Sequence, residues 1–192
     1  MQTKENLSGE INKAIQVLEK GGLIVYPTDT IWGIGCDATN EDAVERIYQL
    51  KKKEDTKTLS CLVANDFMLE KYLEKVPEIA YDIIDLSEKP VTIIYDKPKG
   101  VAKNLIPPDN TLAIRVASDK FCRYLINKFG KPLVATDANI SGRPTPLDFQ
   151  EIDEAILKGA DYVVNLNRNQ KTGTPSSIIK LGNDSTVKII RE

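Results

Sequence analysis

Eight short apolar runs rich in β-branched residues punctuate the chain, and what lies between them decides what it can fold into. They begin at Leu23 (LIVY), Leu59 (LSCLV), Val91 (VTIIY), Thr111 (TLAIRV), Leu133 (LVAT), Tyr162 (YVVN), Ser176 (SSIIKL) and Thr186 (TVKIIR). Each has the length and residue type of a strand. Helical spacing fills some of the gaps. Ile11, Ala14, Ile15 and Leu18 precede Gly21; Val44, Ile47 and Tyr48 follow Asn40; Cys122, Leu125, Ile126 and Phe129 precede Gly130. Further helical segments are expected through Leu69, Tyr72, Leu73 and Val76, then around Ile79 to Ile84, and one after an Asp148/Glu151 capping box. Other neighbouring runs have only a loop between them, NLIPPDN in one case and Gly182-Asn183-Asp184 in another. A purely parallel sheet needs a long crossover at every step. The mixture therefore predicts an α/β (α+β) chain: one mixed, twisted open sheet with helices on both faces. No repeat, low-complexity tract or linker interrupts it, so residues 1–192 read as a single domain.

Function is narrowed first by an absence. The 192 residues include no histidine, which excludes Ser-His-Asp and Cys-His catalysis and His-ligated zinc within the chain. Three cysteines, Cys36, Cys61 and Cys122, lie far apart without CxxC spacing and read as reduced, buried thiols. Formal charge is −2, too low for nucleic-acid binding by bulk basicity. Charge is nonetheless uneven: residues 97–131 hold eight Lys/Arg against two Asp, and residues 65–96 hold eight Asp/Glu against three Lys. These are either two solvated faces or a basic wall for an anion. The polar, mixed-charge MQTKENLSGE is unlike a secretory signal, and no apolar run reaches the ~18 residues of a membrane span. The expected location is cytoplasmic, with no membrane partner.

Three segments place polar groups where strands end. Tyr26–Gly35, YPTDTIWGIG, leaves a buried strand at Pro27 and re-enters an apolar run with the only Trp. Its hydroxyls could hold a polar small molecule, or it is an ordinary hairpin with Trp32 in the core. Lys51–Lys57, KKKEDTK, offers four lysines either to a helix C-terminus or to a phosphate chain. Ala135–Pro146, ATDANISGRPTP, sets amide, hydroxyl and guanidinium groups at a strand's carboxyl end, a common ligand position in open α/β sheets. A P-loop motif is absent, and Gly33-Ile34-Gly35 is only a fragment of GxGxxG.

In this order, YPTDT-x-x-G-x-G, a KxR-like element, an R-V strand, T-x-A-N-x-SGRP and a late S-S-I-I are similar to the YrdC/YciO family, which includes the threonylcarbamoyl-AMP synthases. The resemblance runs from about Gly21 to Arg191. It implies a mixed twisted sheet with a large basic groove, and an enzyme, a nucleotidyltransferase, that converts L-threonine, bicarbonate and ATP into threonylcarbamoyl-adenylate and pyrophosphate. Other proteins then transfer the group to tRNA. Matched residue by residue, Thr30, Arg115 and Ser176 fall at threonine-binding positions. Lys51 and Lys53 (KxR), Thr111, Asp137 and Asn139 (SxN), Thr145 and Arg191 fall at nucleotide positions. Neutral imidazole chemistry is not needed for this reaction, which asks chiefly for positioning and for neutralised phosphate charge.

The match departs from the family on the ATP side. KGRP reads KKKE, so an Arg becomes Lys53 and loses its planar fork. The SxN serine is Asp137, WPGP has become Ser87-Glu88-Lys89-Pro90, and a family histidine is Leu62. An ionised Asp137 would oppose a phosphate unless magnesium sat between them, and magnesium is therefore expected with ATP. The departures also open a second reading, a non-catalytic paralogue holding double-stranded RNA, tRNA or a nucleotide in the same groove.

Overall fold

The computed structural model describes residues 4–52, 59–169, 173–184 and 186–192. The elements run α1 (Lys4–Leu18), β1 (Ile24–Pro27), β2 (Trp32–Gly35), α2 (Glu41–Lys51), β3 (Ser60–Val63), α3 (Asp66–Lys71), α4 (Ile79–Leu86) and β4 (Val91–Asp96). After a 3-10 turn at Lys103–Leu105 come β5 (Thr111–Val116), α5 (Lys120–Phe129) and β6 (Leu133–Asp137). A second 3-10 turn, Phe149–Glu151, leads to α6 (Glu154–Gly159), β7 (Tyr162–Val163), β8 (Ser177–Leu181) and β9 (Val187–Arg191).

Local chemistry sets the boundaries. Asn40 and Asp119 cap α2 and α5 by accepting from the N–H of Ala43 and Cys122. Gly130 closes α5 at φ 77°. Two expectations change. The helix expected to run through Val76 stops at Lys71, because Leu73 pairs as an isolated bridge with Pro98. Asp148 caps only the 3-10 turn, with Glu151 accepting from Leu147 N–H, while Asp153 caps α6.

The nine strands among the described residues form one mixed sheet in the order β7-β1-β2-β6-β3-β5-β4-β8-β9. Pairs β1/β7, β3/β5 and β4/β8 are parallel and the others antiparallel. The hairpin β1/β2 buries Trp32 to 1% exposure. Its second strand lies so close to β6 that a Cβ on Gly35 would sit 1.9 Å from the Val134 carbonyl oxygen. α1 packs on α5, and α3 and α5 pack on β3. The amphipathic α5 sends Phe121, Cys122, Leu125 and Ile126 into the core. Cys61 and Val63 are buried on β3, while the alternate Ser60 is half-buried and lines a cavity. Cys36, Cys61 and Cys122 are free and buried. Burial pushes the Cys61 thiol up to about 12 and the other two well above their usual value, which favours the neutral thiol in all three.

Candidate functional site

A cavity of about 520 Å³ opens over β3, β4, β5, β6 and β8 and is walled by three groups of residues. The first wall is the β1–β2 turn. Thr28 folds this turn with its own hydroxyl, which donates to Ile31 O (2.8 Å) and accepts from the N–H of Thr30 (3.1 Å) and Ile31 (3.3 Å). That closure holds the Thr28 and Thr30 hydroxyls 3.0 Å apart at the cavity. Strand alternation on β5 turns Ala113 and Arg115 to the same cavity. Arg115 Nη1 donates to Thr30 Oγ1 at 2.9 Å, and Nη2 lies 3.1 Å from Asp29 Oδ1. Asp29 Oδ2 in turn accepts from the Ser118 hydroxyl (2.6 Å) and N–H (3.2 Å).

The second wall joins β4, β8 and β9. Thr92 and Ser176 share a buried hydroxyl–hydroxyl bond of 2.7 Å. Arg191 lies over them, donating from Nε (3.1 Å) and Nη2 (2.7 Å) to Ser176 O. A bulge on β9 makes this possible: Ile178 pairs with Arg191 and Ile179 with Ile189, so Ile190 is the extra residue. Plain alternation would put Ile190 and Arg191 on opposite faces, whereas both line the cavity.

The third wall is the C-terminus of α2 and the loop after β6. Lys51 is 3% exposed, and its ammonium donates to Asp137 O (2.6 Å), Asn139 O (2.7 Å) and Asn139 Oδ1 (2.9 Å). The backbone answers: Ser141 N–H donates to Lys51 O, and Asn139 Nδ2 donates to Arg143 O. Lys51 is thus a brace for the loop 137–143, a role its reading as a phosphate ligand did not include. The Asp137 carboxylate accepts from Thr145 Oγ1 at 2.6 Å.

Seven of the residues named from the sequence, Thr30, Lys51, Arg115, Asp137, Asn139, Ser176 and Arg191, line this one cavity. Thr145 reaches it through Asp137. Thr111 begins β5 two residues before Ala113; it does not line the cavity, and its hydroxyl binds Asp109 at 2.8 Å, holding that carboxyl below its usual value. Lys53 and most of KKKEDTK lie outside the described residues. Of the eight basic residues in 97–131 only Arg115 lines the cavity. Lys97 pairs with Glu74, Lys131 with Asp37, and Lys128 donates to Asn12, so that charge run is not its wall. Asp29, Thr92 and Ser118 take part without having been given a site role from the sequence. Asp29 stood inside YPTDT, and Thr92 is a polar residue inside an apolar strand; either oddity was a usable signal.

The mixed α/β sheet thus carries a hydroxyl-lined cavity with three cations, Lys51, Arg115 and Arg191, among its described lining residues. The family model for Sua5, YciO and YrdC, described as "Telomere recombination", matches residues 16–192, and the chain belongs to that family. It is 34% identical over 158 residues to the threonylcarbamoyl-AMP synthase of Pseudoalteromonas translucida, covering 81% of this chain and 84% of that one. E. coli YciO superposes with a TM-score of 0.81 at 28% identity, over 95% of this chain and 88% of that one. P. abyssi Sua5 complexed with L-threonine superposes at 0.79 and 26% identity over 89% of this chain, which spans about half (50%) of the Sua5 chain.

Proposed function

We propose that the protein is a threonylcarbamoyl-AMP synthase acting on L-threonine, bicarbonate and ATP. The observation that carries this reading is the buried Arg115 held beside Thr30 in a cavity lined by hydroxyls. A guanidinium in that setting suits a substrate carboxylate, and the Thr92–Ser176 pair offers a hydrogen-bonding surface to a small polar side chain. The relatives named for this activity support the same substrates. In the reaction the threonine amine and bicarbonate form a carbamate with loss of water. A carbamate oxygen then bonds to the α-phosphorus of ATP, and pyrophosphate leaves with the electron pair of the broken P–O bond.

The chain's own residues bind and orient. Arg115 anchors the carboxylate, while Arg191, beside Ser176, contributes positive charge toward the phosphates. Lys51 gives shape to the loop 137–143 and adds its charge from beneath. Asp137 is the carboxylate among the described lining residues, and no cluster of three metal-ligating side chains occurs among the described residues. One carboxylate together with phosphate oxygens is nonetheless a sufficient set for magnesium, which keeps its waters. Magnesium would neutralise phosphate charge there, with Asp137 as its protein ligand. Delivery of the product to a tRNA-modifying partner in the cytoplasm completes the proposed role.

Pyrophosphate release that needs ATP, bicarbonate and threonine together tests the proposal; release equal to a control lacking threonine overturns it. Arg115→Ala should raise the threonine requirement by about 10- to 150-fold, the worth of a charge-assisted contact of roughly 1.5–3 kcal/mol. Its ATP requirement should change little.

A further inference from the structure

Arg115 is the most enclosed guanidinium of the cavity. Its side chain and that of Asp29 are each 8% exposed. A long side chain in that place needs something to fix its plane, since a guanidinium that can rotate presents its fork only part of the time. Thr30 accepts from Nη1 alone. The second restraint is Asp29, whose Oδ1 lies 3.1 Å from Nη2 but lacks the alignment of a hydrogen bond. Asp29 is not free to follow the arginine. Its other oxygen is held by the hydroxyl and N–H of Ser118, just beyond the end of β5, the strand that carries Arg115. The β1–β2 turn thus supplies both contacts to the guanidinium, and the β5–α5 turn anchors one of them by holding Asp29.

We infer that Asp29, locked by Ser118, is a positioning residue that sets the Arg115 guanidinium for capture of the substrate carboxylate. This rests on the carboxylate-binding role of Arg115 proposed above. Two effects of Asp29 oppose each other, and their signs separate them. As a mere counter-charge it would compete with an incoming carboxylate, and removing its charge would tighten substrate binding. As a positioning group it holds the fork in place, and its removal weakens binding. The off-axis ion pair favours the second, because it restrains Nη2 without using up an aligned N–H.

The test is Asp29→Asn and Ser118→Ala, each alone and in the Arg115→Ala background. Asp29→Asn should raise the threonine KM about tenfold, with the ATP KM unmoved. Ser118→Ala, which removes one hydrogen bond to Asp29, should shift it in the same direction by less. Neither should add to the effect of Arg115→Ala, whereas a general structural defect would add in full. In the wild type, nitrogen NMR of the arginine side chains should show slow rotation about the Arg115 Nε–Cζ bond, lost in Asp29→Asn. A threonine KM that falls or stays level, additive double variants, or a guanidinium that rotates equally fast in wild type and Asp29→Asn would each overturn the inference. If Asp29→Asn does not fold, Ser118→Ala gives the same readings. Should the wild type show no threonine-dependent turnover, the proposed function fails, while the rotation of Arg115 still decides whether Asp29 holds it.

Discussion

Each of the three ammonium protons of Lys51 has an acceptor on the loop after β6, two of them backbone carbonyl oxygens. A lysine so placed stabilises the loop first and meets a ligand second. Lys51→Met keeps the stem and leaves those part-buried oxygens without their donor. Leaving a buried acceptor unsatisfied costs about 1–3 kcal/mol each, so the melting temperature should fall by several degrees and amide exchange over 137–143 should quicken. ATP binding should weaken with it. Lys51→Arg should not rescue the protein, since a planar fork does not match three acceptors gathered round one nitrogen. Unchanged exchange in the loop would return Lys51 to a role as phosphate ligand. The charge of Lys51 was legible in KKKEDTK; its partners, 86 and 88 residues away, were not. Arg115 shows the same split. The family resemblance pointed it to the threonine substrate, but nothing in local spacing couples it to the Asp29 carboxylate, which sits on the turn of another hairpin.

Elements were easier to read than contacts. Caps act within a few residues, so Asn40, Gly21 and Gly130 marked boundaries that the structure keeps. The β9 bulge was hidden, because an inserted residue shows only when a strand is paired, and TVKIIR carries no mark of the extra Ile190. Gly35 gives a test at this scale. A methyl group there would meet Val134 O at 1.9 Å and the Tyr26 ring at 3.0 Å. Gly35→Ala should therefore push β2 from β6 and destabilise by about 1–3 kcal/mol in urea unfolding. The docking of α1 offers a second, through pH. Glu10 is buried, and its Oε2 accepts from Tyr162 Oη and Asn165 N–H, both at 2.6 Å. Burial pushes its carboxyl up, but these bonds and Lys13 outweigh that and hold it below its ordinary 4.5. A depressed folded value means the stabilisation is complete above 4.5 and is lost as pH falls through the folded value. Glu10→Gln should thus be less stable than wild type at pH 7, by about 1.5–3 kcal/mol. The gap should close in acid; one that persisted unchanged at pH 2 would show that Glu10 acts through packing alone.

For the whole molecule, the runs and their loop-only neighbours were enough to read a mixed sheet, since connection length limits strand direction. Strand order was out of reach, because β6 comes late in the chain yet lies between β2 and β3. The cavity inherits that order, with Thr28 and Arg191 on opposite walls of one site. Ligands that bind only the assembled cavity should stabilise the entire domain, by about 2.7 kcal/mol at a hundred times their dissociation constant. Threonine and ATP added together should then raise a single melting transition rather than split it. The same geometry bears on synthesis. A chain emerging from the ribosome exposes its turn at Thr28 early, but Ser176 and the bulged strand that carries Arg191 follow about 150 residues later. Until they arrive, the half-made protein has Arg115 but lacks the Ser176 and Arg191 side of the cavity. On the proposed function, translation products that stop before β9 are expected to capture neither threonine nor ATP, so capture of both would report that β9 has been made and paired.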